Sequence, residues 1–138
     1  VTFQGALDPR TPIGQGWLRA SHRKLDPALS KPYRPYHTHD EIQPLTPGEV
    51  YELDVEIWPT CIVTPPGYRV ALTIRGKDYE FDGPPMVIPH AFYPFTGVGP
   101  FFHTHPQDRP AAIFETTNTL HFDATRQPYL LLPVIPPK

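Results

Sequence analysis

The sequence has 138 residues, enough for one domain with a core of its own. Its 39% apolar content permits folding, its formal net charge of −2 argues against nucleic acid or an anionic membrane as the main partner, and its 21 prolines exclude long helices, because an interior proline removes a hydrogen bond and clashes with the preceding turn. A single cysteine, Cys61, excludes an internal disulfide and reads as a small apolar residue; with no apolar run of transmembrane length and no visible signal peptide, the compartment is undetermined with a lean to intracellular.

In chain order, residues 1–16 are turn-rich, with Asp8-Pro9-Arg10-Thr11-Pro12 as an irregular entry. Residues 17–25 predict a basic strand with mixed faces. Residues 26–47 are proline-rich: Asp26 to Ser30 allows one helical turn, and Lys31-Pro32-Tyr33-Arg34-Pro35-Tyr36 predicts extended polyproline-like chain on the surface. Leu45-Thr46-Pro47-Gly48 is a turn feeding residues 49–58, where Tyr51, Leu53, Val55 and Ile57 share one face and Glu52, Asp54 and Glu56 the other. Tyr68, Val70, Leu72 and Ile74 alternate in the same way with Arg69, Ala71, Thr73 and Arg75. A period of two predicts half-buried strands, and Pro65-Pro66-Gly67 between them is turn chemistry. If the two strands pair, their acidic and basic outer faces add about 0.2–1 kcal/mol per opposed pair.

Gly76-Lys77-Asp78 reads as a break and residues 79–81 as a brief strand. Residues 86–102, with Phe92, Tyr93, Phe95, Phe101 and Phe102 among prolines and glycines, predict a long ordered loop packed by its aromatics. Residues 111–122 predict a strand with Phe114, Thr116, Asn118, Leu120 and Phe122 on one face, and residues 129–135 a last strand with Pro133 at an edge or bulge. No repeat, low-complexity tract or linker interrupts the chain. The expected fold is all-β: one domain over residues 1–138, with five or six strands in Greek-key-like order forming a β-sandwich.

Few residues point to chemistry. His37-Thr38-His39-Asp40-Glu41 and His103-Thr104-His105 are two His-x-His pairs; on a strand, positions i and i+2 share a face and could offer two imidazoles to one metal. That gives a cupin-like metal reading on His37, His39, His103 and His105, although Glu41 follows too soon for the cupin spacing; the other reading is loop histidines bonded to their neighbours. No Gly-x-Ser-x-Gly elbow is present, and Ser21 and Ser30 lack a triad setting. Glu52, Asp54 and Glu56 form a charged solvent face or, less conventionally, a glycosidase pair. Exposed aromatics at Tyr33, Tyr36, Phe92 and Tyr93 offer a sugar-stacking platform, with Trp17 and Trp58 able to join it or to serve packing. No phosphate loop exists, and no cofactor is expected.

Several segments together carry a resemblance. Gly16-Trp17-Leu18-Arg19-Ala20-Ser21-His22-Arg23-Lys24-Leu25-Asp26, Pro35 to Glu41, Leu45 to Glu49, Val55 to Thr60, Gly67 to Ile74, Pro106-Gln107-Asp108-Arg109-Pro110 and Tyr129 to Pro136 are similar to the C-terminal domain of the X-Pro dipeptidyl-peptidase and cocaine-esterase-type hydrolases. The resemblance runs from about Gly5 to Pro136, and its most specific part is the Trp-Leu-Arg-Ala-Ser-His-Arg run. It implies a jelly-roll-like β-sandwich, related to galactose-binding-domain folds, that follows an α/β-hydrolase domain and lacks its own first strands here. It also implies that the serine, acid and histidine of catalysis lie in that hydrolase domain, so Ser21 and His22 are motif residues without a catalytic role. The sandwich would pack against the hydrolase, help wall its active site and support oligomers, with Arg19, Arg23, Asp40, Glu41, Asp108 and Arg109 as candidates for ion pairs at the joint. Where relatives tend to have His-x-Asp-Pro, this chain has His103-Thr104-His105-Pro106. A freestanding carbohydrate-binding module and the metal reading stand as alternatives.

Overall fold

Proline and glycine set the local geometry before any long-range pairing does. In the computed structural model, which describes residues 2–3, 11–80 and 102–136, Pro47-Gly48 and Pro66-Gly67 occupy the middle of two tight turns. The Glu49 N–H donates to the Thr46 carbonyl at 3.1 Å, and the Tyr68 N–H to the Pro65 carbonyl at 3.2 Å. Gly48 and Gly67 stand at φ 84° and 85°. This is the left-handed position that a type II turn leaves to glycine, after a proline that presets the preceding φ. Both turns lie where the sequence predicts them.

The chain divides into two compact units, Val1–Thr104 and His105–Lys138. In the first, β1 (Thr2–Phe3) pairs antiparallel with β2 (Thr11–Pro12), with Thr2 opposite Pro12 and Phe3 opposite Thr11. The chain then runs against residues 56–58: the Trp58 N–H donates to the Gln15 carbonyl at 2.8 Å. The approach is close enough to require glycine, since a Cβ on Gly16 would fall 1.9 Å from the Glu56 carbonyl oxygen.

Residues 17–25 give a 3₁₀ turn, Ala20–His22, where the sequence predicts a strand. A hairpin follows. Leu25 bridges His37, flanked by bonds from the Asp26 N–H to the Tyr36 carbonyl (2.8 Å) and from the Thr38 N–H to the Lys24 carbonyl (3.1 Å). Its loop is built by side chains that compete with backbone partners. The Asp26 carboxylate accepts the N–H groups of Ala28 (2.7 Å) and Leu29 (3.0 Å), and the Ser30 N–H reaches the Asp26 carbonyl, completing the expected single turn. The stretch predicted to be extended is instead closed at its tip, because Lys31 and Arg34 exchange both backbone bonds, at 3.0 and 2.9 Å, around Pro32-Tyr33. Ser30 Oγ accepts the Tyr36 N–H at 3.0 Å.

In the second unit, Pro110 starts α1 (Ala111–Phe114), a single helical turn in the first part of the segment predicted as a strand. A proline at a helix start loses no bond, and the three residues after it are good helix formers or tolerated there. Further on, the Asp123 carboxylate gathers the N–H groups of Thr125 and Arg126 at 2.8 Å each, the Thr125 hydroxyl and the Arg126 guanidinium. The Thr125 hydroxyl first, then Arg126, pulls the Asp123 carboxyl down to about 2.

Residues 49–58, 68–75 and 129–135 run as irregular backbone without a ladder. No described residue is buried, and the alternating apolar faces stand open: Leu53, Val55, Tyr68, Val70, Leu72 and Ile74 are all exposed. Alternation sets which side chains share a face, but a strand is held by bonds to a neighbour. Residues 81–101 lie outside the described residues, and with them the predicted aromatic loop up to Phe101, including Phe92 and Tyr93.

Candidate functional site

Two polar clusters organise the first unit, and both grow from the segment 16–26. The first centres on Arg23. Its Nη1 donates to the Gln43 carbonyl at 2.6 Å and to the Ala20 carbonyl at 3.2 Å, and its guanidinium lies 4.4 Å from the centre of the Tyr51 ring. The Gln43 N–H in turn donates to the Ser21 carbonyl at 2.8 Å. The Tyr51 hydroxyl donates to Glu49 at 2.5 Å and accepts the Thr46 N–H at 3.0 Å. One planar, always charged fork thus ties the 3₁₀ turn, residue 43 and the turn at 46–49 together. A cation–π contact at a partly exposed site is worth about 0.5–1 kcal/mol.

Beside it, Lys24 Nζ meets Asp40 Oδ2 at 2.9 Å and Glu41 Oε2 at 3.6 Å. The Thr38 hydroxyl donates to the other Asp40 oxygen, and that bond, then Lys24, holds the Asp40 carboxyl below its ordinary value. The hydrogen bond to Asp40 raises the Lys24 ammonium. His39 takes a left-handed φ of 53°, so His37 and His39 do not share a strand face. The His39 ring turns to His22 instead, with the two Nδ1 atoms 3.2 Å apart. His37 is half-buried, and its Nε2 is enclosed without a hydrogen-bond partner. Desolvation first, then the neighbouring His39, lowers its pKa, against an opposing pull from Asp54 and Glu56.

The second cluster centres on Asp78, whose side chain is only 9% exposed. It accepts the Trp17 indole N–H at 2.8 Å and the His103 backbone N–H at 2.5 Å, and the His103 Nδ1 lies 3.1 Å from both of its oxygens. Burial pushes the carboxyl up, but these donors, led by the His103 backbone N–H, outweigh it and hold Asp78 below its ordinary value. The Trp17 ring packs edge-on against Trp58, centroids 5.4 Å apart, and lies 6.0 Å from the His103 ring. Residues 61 positions apart in the chain are closed by one carboxylate.

The predicted site residues are thus distributed. Asp40 and Glu41 pair with Lys24, and Arg23 faces carbonyls and a ring. The Arg19 carbonyl accepts the His22 N–H at 2.7 Å. Asp108 and Arg109 both donate their N–H groups to the His105 carbonyl, and the Arg109 guanidinium lies 5.2 Å over Phe114. Tyr33 projects from the hairpin tip, 74% exposed, and Tyr36 flanks it at 45%. Of the four histidines in the metal reading, His103 is turned to Asp78, and the His105 Nδ1 accepts the Gln107 N–H at 3.3 Å. Among the described residues, no three or more His, Cys, Asp or Glu side chains converge as a metal site.

Sequence reasoning passed over Lys24, Gln43, Tyr51 and Asp78. For Asp78 a signal existed: the Trp17 indole N–H needs an acceptor when its ring is packed. No local pattern says which acceptor it finds.

Comparison with known proteins identifies relatives. A family model described as "X-Pro dipeptidyl-peptidase C-terminal non-catalytic domain" matches residues 5–131. Two curated relatives bearing the name "Putative serine esterase", from Mycobacterium bovis and Mycobacterium tuberculosis, are each 38% identical over 80 residues. The match takes in 52% of this chain and 13% of each relative's length. No solved structure matches the chain.

Proposed function

Because the chain belongs to the X-Pro dipeptidyl-peptidase C-terminal non-catalytic domain family, we propose that it is the non-catalytic C-terminal part of a serine hydrolase acting on esters or amides. The family match over residues 5–131 carries this reading. Two serine esterase names among partial relatives support the hydrolase. The domain adopts a jelly-roll-like β-sandwich in the assembled protein and packs against an α/β-hydrolase catalytic domain, walling its active site and contributing to oligomer contacts. The open apolar side chains of Leu53, Val55, Tyr68, Val70, Leu72 and Ile74 support that packing, since apolar side chains left in water forgo roughly 1.5–3 kcal/mol each relative to burial.

The test uses the full-length protein that contains this chain. A fluorophosphonate probe is expected to label one serine outside residues 1–138, and Ser21→Ala and Ser30→Ala are expected to leave labelling and ester hydrolysis unchanged. Labelling at Ser21 or Ser30 would overturn the non-catalytic assignment. Absence of any probe-reactive serine in a folded protein would remove the hydrolase.

A further inference from the structure

The shortest ring-to-ring approach between two histidines among the described residues is not within either His-x-His pair. It joins His22, at the end of the 3₁₀ turn, to His39, just past the return arm of the hairpin. Their Nδ1 atoms are 3.2 Å apart and their ring centroids 5.3 Å apart. We propose that His22 and His39 form a two-imidazole site for a divalent transition-metal ion of the copper or zinc class, bound through the two Nδ1 atoms.

Metal–imidazole bonds of about 2.0–2.1 Å place two donors on one ion roughly 2.9–3.4 Å apart, over angles from square-planar to tetrahedral. The observed separation lies inside that span. Without metal, the same distance suits one N–H···N bond, in which the rings share a single proton on the facing nitrogens. An ion takes the place of that proton, and both rings then carry theirs on Nε2. Neutral imidazoles prefer copper, zinc and nickel to magnesium or calcium, which fixes the class of ion.

The backbone is set for this contact. His39 holds φ 53°, a conformation few residues other than glycine, asparagine, aspartate and histidine adopt. An extended residue there would send the ring away with His37. The carboxylates next in sequence to His39, Asp40 and Glu41, are engaged by Lys24, and among the described residues no third ligating side chain converges on the pair. His37, ring centroid 6.0 Å from His39, does not join it. The ion therefore keeps water on its remaining positions and is exchangeable, unlike a closed four-ligand structural site.

The proposal goes beyond the hydrolase reading and is tested without measuring activity. Copper(II) chloride and, separately, zinc chloride are titrated into the untagged full-length protein at neutral pH by calorimetry, and the copper form is examined by electron paramagnetic resonance. One saturable equivalent whose spectrum carries two imidazole nitrogens is expected. His22→Asn and His39→Asn are each expected to weaken binding roughly tenfold or more and to remove the two-nitrogen pattern; asparagine at 39 tolerates the left-handed φ. If one variant fails to fold, the other decides. No saturable binding in the parent protein, or an unchanged two-nitrogen spectrum in either folded variant, overturns the site.

Discussion

At Asp78, one carboxylate replaces the hydrophobic contacts that elsewhere would join distant segments. Trp17, Lys77-Asp78 and His103 are joined at one 9%-exposed side chain that accepts from an indole and a backbone amide and lies 3.1 Å from an imidazole nitrogen. Trp17→Phe keeps the ring and removes one donor to a charged acceptor, so a loss of about 1.5–3 kcal/mol is expected in urea unfolding. Asp78 also sets a pH dependence. Its folded value lies below the ordinary 3.8, so its contribution is complete above the unfolded value and is lost as pH falls through the lower folded one. Acid unfolding followed by fluorescence should therefore be shallower in Asp78→Asn than in the parent protein, with the variant already weaker at pH 7. Equal acid slopes would refute the account. Gly16 is the other position where one atom decides. A methyl group there meets the Glu56 carbonyl at 1.9 Å, and Gly16→Ala should cost at least about 1–3 kcal/mol in the same unfolding assay.

The elements divide by what holds them. Turns closed by their own residues stand where the sequence places them: Pro47-Gly48 and Pro66-Gly67 need only the ring of proline and the freedom of glycine. Gly67→Ala forces a Cβ into a left-handed conformation and should destabilise by roughly 1–2 kcal/mol, whereas a tolerant Gly67→Asn should lose less; thermal unfolding of the two variants checks the order. The hairpin from Lys24 to Thr38 was half legible. Its aspartate-led turn followed from Asp26-Pro27, but its closed tip did not, because the Lys31–Arg34 pair stands together with a Ser30 hydroxyl bond to the Tyr36 amide that no local propensity specifies. Ser30→Ala should accordingly raise hydrogen exchange at Tyr36 while leaving the turn at Gly67 unchanged. The alternation at 51–57 and 68–74 is plain in the sequence, whereas pairing is a property of two segments.

For the whole molecule, the sequence alone established the family, through runs such as Trp17 to Arg23 that extend over most of the chain. It also established the turns and the faces on which apolar side chains gather. Tertiary structure decided the rest. It assigned Lys24 to Asp40 and Glu41, set Arg23 over Tyr51, closed Asp78 on Trp17 and His103, and turned His39 from His37 to His22. The reason is physical: a turn or an alternating face is fixed by dihedral preferences within a few residues. A salt bridge, a shared carboxylate acceptor or an imidazole pair depends instead on which distant groups the folded backbone brings within about 3 Å, and no window of sequence contains that distance.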